Sequence, residues 1–243
     1  MTYRQIILTW LLLLLQGSRR LYESLEFSRP SKSRMWIGHW MIGIGFYMAT
    51  SIAIWIEGIP LALAKEANTR PAQQQQTDKK VFAAAIQSHN FNGLKPTDFA
   101  LSGPNLYTFL GLLLFILASG FQHDIHAYLA SLRPSASSST PSTASTSNKS
   151  NNTTEKTGPY TLPTHPAFST LISPHYTAEC LIYLSLTLIA TPPNAWVNWT
   201  MFSAFVFVVV NLGVTANGTR EWYARQFGPK AMEGKWRMVP FVF

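Results

Sequence analysis

Three short polar groupings interrupt otherwise apolar stretches of this 243-residue chain, and each carries side chains capable of acid–base or anion-binding chemistry. The first is Gln16-Gly17-Ser18-Arg19-Arg20-Leu21-Tyr22-Glu23. On a helix, Arg19 and Glu23 stand i,i+4 and can pair. A carboxylate hydrogen-bonded to the Tyr22 phenol would hold it as proton donor to a developing enolate. The same residues read equally as a positive-inside anchor with Tyr22 in the interfacial belt. The second is Gln122-His123-Asp124-Ile125-His126, followed by Arg133. His123 and His126 lie one turn apart, but two imidazoles and one carboxylate fill a metal shell poorly and match no zinc spacing, so no metal is expected. Polar groups meeting a phosphate fit better, with Arg133 suited to a bidentate contact. The third is His175 and Glu179, which share a helix face beside the apolar run Cys180–Ala190. An ionisable group at that depth marks a functional site unless it snorkels to the interface. Asn211, inside the last apolar stretch, raises the same choice or simply bonds a neighbouring helix.

The elements that must position these groups are membrane helices. No Lys, Arg, Asp or Glu occurs from Met35 to Ile56, from Phe99 to His123, or from Cys180 to Thr219, the last run being broken by Thr191-Pro192-Pro193-Asn194. A hydrocarbon core takes about 20 apolar residues per helical span. Five spans follow, near 5–18, 35–56, 104–121, 177–191 and 197–216, giving an all-α polytopic bundle that reads as one membrane-embedded domain over 1–243. The first run is short and is either the apolar region of a signal peptide or a shortened span of a chain that has lost its beginning. Arg19, Arg20, Arg29, Lys32 and Arg34 after span one, and Arg220, Arg225, Lys230, Lys235 and Arg237 after span five, put those segments on the cytosolic side.

Two polar insertions interrupt this pattern. Residues 65–98 would face the lumen, and the Ser/Thr/Asn-rich 134–157 reads as disordered. Sequons at Asn148, Asn151 and Asn152 would stay unmodified on the cytosolic side, and those at Asn198 and Asn217 lie close to a bilayer surface. The single cysteine, Cys180, excludes an intrachain disulfide within these residues. A net charge of +8, with its basic residues beside apolar runs, fits anionic lipid or an anionic cofactor rather than nucleic acid. No GxGxxG, Walker or nucleophile-elbow motif is present, so a nucleotide would be gripped between membrane helices and their loops.

The chain ends on Trp222-Tyr223-Ala224-Arg225-Gln226-Phe227 and Met238-Val239-Pro240-Phe241-Val242-Phe243, cationic and aromatic groups at a membrane face. Together with Gln16…Arg19-Arg20-Leu21-Tyr22-Glu23, Gln122-His123…His126…Leu129…Leu132-Arg133, Tyr160-Thr161-Leu162-Pro163 and Pro174-His175-Tyr176…Glu179, this order of motifs resembles the steroid 5α-reductase family, in its polyprenol reductase branch. The C-terminal region of resemblance runs from about 104 to 243. The resemblance implies a seven-span enzyme of the endoplasmic reticulum that uses cytosolic NADPH. Its reaction would saturate the α-isoprene unit of a long-chain polyprenoid lipid, giving dolichol for protein N-glycosylation. It also implies that Gln122, His126, Arg133, Tyr160, His175, Glu179, Asn211 and Tyr223 line the cofactor site, with Tyr22 and Glu23 nearest the substrate for proton delivery.

This sequence departs from the family in two places. The family carries two more spans ahead of the first motif, including an acidic residue used by the steroid-reducing branch. It also usually has histidine where this chain has Arg220, and arginine neither accepts a hydrogen bond nor titrates near neutrality. Chemistry narrows the substrate: hydride adds readily to a C=C only beside a group that accepts the charge, so a polyprenal or enone is expected rather than the allylic alcohol. The alternatives are a steroid enone, an impaired paralogue acting as a scaffold, and a membrane methyltransferase using S-adenosylmethionine; no obligate protein partner is indicated.

Overall fold

The computed structural model describes residues 1–27, 37–68, 105–132, 160–192 and 195–243, with the side chains of residue 39 and of residues 60–68 excepted. The described elements are helical: α1 (Tyr3–Glu26), α2 (Ile37–Asn68), α3 (Leu106–Ser131), α4 (Pro174–Ala190) and α5 (Trp199–Phe227), with short 3-10 turns at Pro166–Phe168 and Pro229–Met232. Helices α1, α2, α3 and α5 run past the C-terminal end of their expected spans. Three are long and apolar enough to cross a membrane: α2 over Trp40–Ile59, α3 over Leu106–Ser131 and α5 over Trp199–Phe227. The other two expected spans are helices of a different kind. The second half of α1 carries Gln16, Arg19, Arg20 and Glu23, which lowers its hydropathy. At 17 residues, α4 reaches only about 26 Å at 1.5 Å per residue, short of a bilayer core. Of the two polar insertions, the first four residues of 65–98 continue α2, and the remainder of 65–98 and all of 134–157 lie outside the described residues, as do Asn148, Asn151 and Asn152.

The chain divides into two compact units, the first comprising Met1–Leu15, Ser33–Leu113 and Leu184–Ala204, the second Gln16–Lys32, Leu114–Tyr183 and Phe205–Phe243. In the first unit, Ile6, Leu13, Ile54, Leu186, Ile189 and Met201 form the core. Its helix ends are tied by side chains. Thr2 and Gln5 make a capping box, with Thr2 N donating to Gln5 Oε1 at 2.8 Å and Gln5 N to Thr2 Oγ1 at 3.3 Å. Gln5 Nε2 then donates to the carbonyls of Ile189 (3.1 Å) and Thr191 (2.7 Å), which close α4 and have no helical partner of their own. Asn198 caps α5 by accepting from Met201 N at 2.8 Å, and its amide together with the Thr200 hydroxyl donates to Glu57 of α2. Asn198 is only 5% exposed, so this sequon asparagine serves as a helix clamp. Close packing fixes Gly111: a Cβ there would sit 2.9 Å from the Ser185 carbonyl and 2.6 Å from Ile189.

The second unit packs Phe115, Ala118, Ile125, Phe168, Ile172, Ala178, Ile182, Tyr183, Ala216, Met232 and Met238. The C-terminal tail folds back on the segment leading into α4. Trp236 N donates to Thr170 O at 2.8 Å, Ile172 N to Trp236 O at 2.9 Å, and Ser173 N to Arg237 O at 3.1 Å. Thr177 on α4 donates its hydroxyl to Met238 O at 2.5 Å. A left-handed residue, Phe241 at φ 63°, reverses the tail so that Met238 N and Val239 N both reach Phe243 O at 3.0 Å. The Tyr128 hydroxyl accepts from Thr164 N (2.7 Å) and His165 N (3.1 Å), fixing the loop ahead of the first 3-10 turn.

Candidate functional site

Within the second unit, polar side chains from α1, α3 and α4 converge on one layer. Positions 16, 19, 20 and 23 of α1 follow i, i+3, i+4, i+7 spacing and therefore share one face. Glu23, 3% exposed, is its hub. Its carboxylate pairs with Arg19, with Arg20 Nη1 at 2.9 Å, with His123 Nδ1 at 2.9 Å and with His126 Nδ1 at 2.8 Å. Burial raises the affinity of Glu23 for a proton, but the hydrogen bonds from His123 and His126 and the charge of Arg19 outweigh it, and its pKa falls from 4.5 to about 2. At neutral pH Glu23 is an acceptor and has no proton to give.

Gln122 of α3 is 1% exposed and links this hub to α4. Its amide donates to the Glu179 carboxylate and, at 3.2 Å, to His175 O, while its Oε1 accepts from Arg19 and, at 3.4 Å, from Gln16. Gln16 Nε2 also donates to both Glu179 oxygens, at 3.1 and 3.2 Å. Arg20 Nη1 lies 2.9 Å from His126 Nδ1, which also faces Glu23, so the tautomer of His126 decides whether that nitrogen donates to the carboxylate or accepts from the guanidinium. The His126 and His175 rings lie 5.5 Å apart. His175 is held neutral: burial first, then the positive charge of His126 and Arg20, lowers its pKa from 6.5 to about 3. Its Nδ1 is buried without a hydrogen-bond partner. No group of three His, Cys, Asp or Glu side chains among the described residues is placed to hold a metal ion.

Of the residues singled out from sequence, Glu23, Gln122, His126, His175 and Glu179 meet in this layer. Tyr22 does not. It is 58% exposed with Leu21 and Leu25, has no hydrogen bond among the described residues, and does not form the expected phenol–carboxylate pair. Successive helical residues are about 100° apart, so a neighbour of Glu23 cannot share its face. Tyr160 is exposed and meets Trp222 edge-on at 5.1 Å, and Tyr223 stacks on Phe227 at 5.7 Å. Tyr223 also lines a small apolar hollow with Leu162, Phe168, Ile172 and Met232. Asn211 is outside the layer, its carbonyl accepting from the Thr215 hydroxyl at 2.9 Å. Arg133 lies outside the described residues. Four layer members had not been assigned a site role from sequence: Gln16, Arg19, Arg20 and His123. Their signal was the polar stripe at positions 16, 19, 20 and 23 on a helix with an apolar opposite face, and the one-turn step from His123 to His126.

The family described as 3-oxo-5-alpha-steroid 4-dehydrogenase matches residues 80–243. Among curated relatives, polyprenal reductase 2 of Oryza sativa subsp. indica is 27% identical over 236 residues, covering 96% of this chain and 57% of the relative. The polyprenal reductase of Xenopus tropicalis is 26% identical over 238 residues, 98% of this chain and 61% of the relative. That of Caenorhabditis elegans is 25% identical over 236 residues, 97% and 60% respectively. The chain thus spans about three fifths of the length of these relatives. No solved structure matches it. The family match covers the second polar motif, the α4 motif and the aromatic tail, and on that ground the chain belongs to the 3-oxo-5-alpha-steroid 4-dehydrogenase (steroid 5α-reductase) family.

Proposed function

We propose that the chain is the membrane-embedded reductase portion of an NADPH-dependent polyprenal reductase of the endoplasmic reticulum, supplying dolichal and thence dolichol for protein N-glycosylation, with the C-terminus cytosolic. The observation that carries the reading is the layer of Gln16, Gln122, His126, His175 and Glu179, a set of donors and acceptors drawn together from three helices at the cost of burying charge. Such a cost calls for an explanation. The residues fit a nicotinamide dinucleotide: His175 Nδ1 and Arg220 Nε are shielded nitrogens with no partner among the described residues, and Tyr160, Trp222 and Tyr223 offer aromatic faces for a base. Gln122, His126, Arg133, His175, Glu179, Asn211, Tyr160 and Tyr223 would hold it.

When bound, the reduced nicotinamide supplies the hydride that adds at the β-carbon of the enal. The chain's own task is to bind and orient the two ligands, and to deliver one proton as the enolate collapses at its α-carbon. Donors aimed at the enolate oxygen are worth roughly 3–4 kcal/mol each. Glu23, ionised and quadruply paired, is the anchor of Arg19, Arg20, His123 and His126 rather than the acid. Tyr22 is the proposed acid, because its phenol is exposed and uncommitted on the other face of α1, where an isoprenoid lipid has access.

The test is the full chain, purified in detergent micelles, offered NADPH with polyprenal or with polyprenol. Consumption of polyprenal to the saturated aldehyde, lost about 100-fold in Tyr22→Phe with unchanged NADPH binding, is the expected result. Turnover of polyprenol with no turnover of polyprenal would overturn the substrate assignment, and full activity in Tyr22→Phe would overturn the role of the phenol.

A further inference from the structure

Arg220 stands on the side of α5 that faces the interior of the second unit. One turn before it Ala216 is fully buried, and one turn after it Tyr223 lines the hollow beneath the aromatic cluster. Its helix neighbours are committed. Asn217 accepts from Arg237 Nε of the tail at 2.9 Å and donates to Glu221 at 2.9 Å, and Thr219 bonds Tyr176 of α4. Among the described residues Arg220 forms no ion pair, and its buried Nε has no hydrogen-bond partner. Leaving a buried donor unmade is costly, and more so for a charged group. Glu221, the adjacent carboxylate in sequence, points to another face of the helix and is bonded to Asn217. Arg225, Lys230, Lys235 and Arg237 add positive charge to the same stretch.

We infer that Arg220 is an anion-binding residue that takes a phosphate of the dinucleotide through its shielded, uncommitted guanidinium. The inference rests on the cofactor reading above and sharpens it. A guanidinium binds phosphate through parallel N–H···O bonds and keeps its charge at every physiological pH, which an imidazole does not. Arg220 therefore holds the phosphate equally well on either side of neutrality. The titratable and charged groups bonded to its helix neighbours or lining the hollow one turn away are Tyr176 of α4, Lys235 and Arg237 of the tail, and Glu221 and Tyr223 of α5.

The decisive experiment measures NADPH binding by nucleotide fluorescence to the full chain in phospholipid-free micelles, for the parent, Arg220→Gln and Arg220→His. The expected Kd rises at least tenfold in Arg220→Gln. In Arg220→His it stays near the parent value at pH 6 and rises about tenfold by pH 8 relative to the parent, following a histidine of ordinary pKa near 6.5. Pyrophosphate alone raises the melting temperature of the parent and leaves that of Arg220→Gln unmoved. An unchanged Kd in Arg220→Gln overturns the inference. So does an unchanged Kd accompanied by lost binding to vesicles containing phosphatidylserine, which would assign Arg220 to a lipid headgroup. Should the parent bind no NADPH, the cofactor reading falls, while the pyrophosphate shift and its loss in Arg220→Gln still decide whether Arg220 binds phosphate.

Discussion

Two half-buried carboxylates, Glu57 in the first unit and Glu179 in the second, are bonded very differently. Glu57 accepts from the Asn198 amide and the Thr200 hydroxyl, and Asn198 in turn caps α5, so the polar groups of that clamp are mutually satisfied. Glu179 and its neighbour Glu23 lie among two guanidiniums, three imidazoles and two amides, and the same unit still leaves His175 Nδ1, Arg19 Nε and Arg220 Nε without partners. A closed set of bonds holds helices together. An open one, with nitrogens uncommitted, leaves donors free for the nucleotide proposed above. Each unit carries unsatisfied hydroxyls, of which Thr9 Oγ1 is the one in the first unit, but the shielded nitrogens all fall in the second.

The contrast can be broken most severely at its hub. Glu23→Ala strands Arg19 and Arg20 together with two histidines, and removing one member of a buried charge network costs about 3–5 kcal/mol. NADPH-dependent turnover is expected to vanish and the midpoint of denaturant unfolding in micelles to drop sharply. Near-normal unfolding would show that the network is not a structural anchor. Glu57→Ala should lower stability by about 2–3 kcal/mol, as expected for loss of hydrogen bonds to a charged acceptor, while the folded fraction binds NADPH as before. A changed Kd in that variant would erase the distinction between the two regions.

Much of this arrangement could be read from the residues, and the rest failed for identifiable reasons. The charge-free runs ending at Ile56, at His123 and at Thr219 placed α2, α3 and α5 correctly, because a hydrocarbon solvent writes its length requirement directly into the sequence. The same rule says less about α4, which at 17 residues is shorter than a full span. Ile182, Leu186 and Ile189 are fully covered by protein, and periodicity cannot separate burial in protein from burial in lipid. In the site, pairs within one helix such as Arg19–Glu23 were legible, since i,i+4 geometry is local. The bonds of Glu23 to His123 and His126, about a hundred residues away, were not, because no local rule encodes which helices adjoin. Tyr22 was placed beside Glu23 in function because it is beside it in sequence, and the helical rotation separates them.

Packing sharpens the comparison further. Gly111→Ala forces a methyl against the Ser185 carbonyl and Ile189 in the first unit, where backbone cannot yield, and should cost about 1–3 kcal/mol without touching ligand affinity. A loss of NADPH binding at unchanged stability would contradict that assignment.

Acid acts on the second unit through two groups, Glu23 and His175. Glu23 has its pKa lowered from 4.5 to about 2 and His175 from 6.5 to about 3, so in both cases the unfolded chain takes up the proton first. Stability is therefore complete above about pH 6.5 and declines as His175 contributes its loss between 6.5 and 3 and Glu23 between 4.5 and 2. Melting temperatures in micelles should fall steadily from pH 7 to pH 3.5, and a rise over that window would contradict the sign.

The measurement that bears most directly on the account is NADPH binding to Glu179→Ala and Glu57→Ala, two removals of a carboxylate that accepts two side-chain donors. The account predicts at least a tenfold weaker Kd in Glu179→Ala and an unaltered one in Glu57→Ala. Equal affinities in the two variants would mean that the polar layer on α1, α3 and α4 is not where the nucleotide binds.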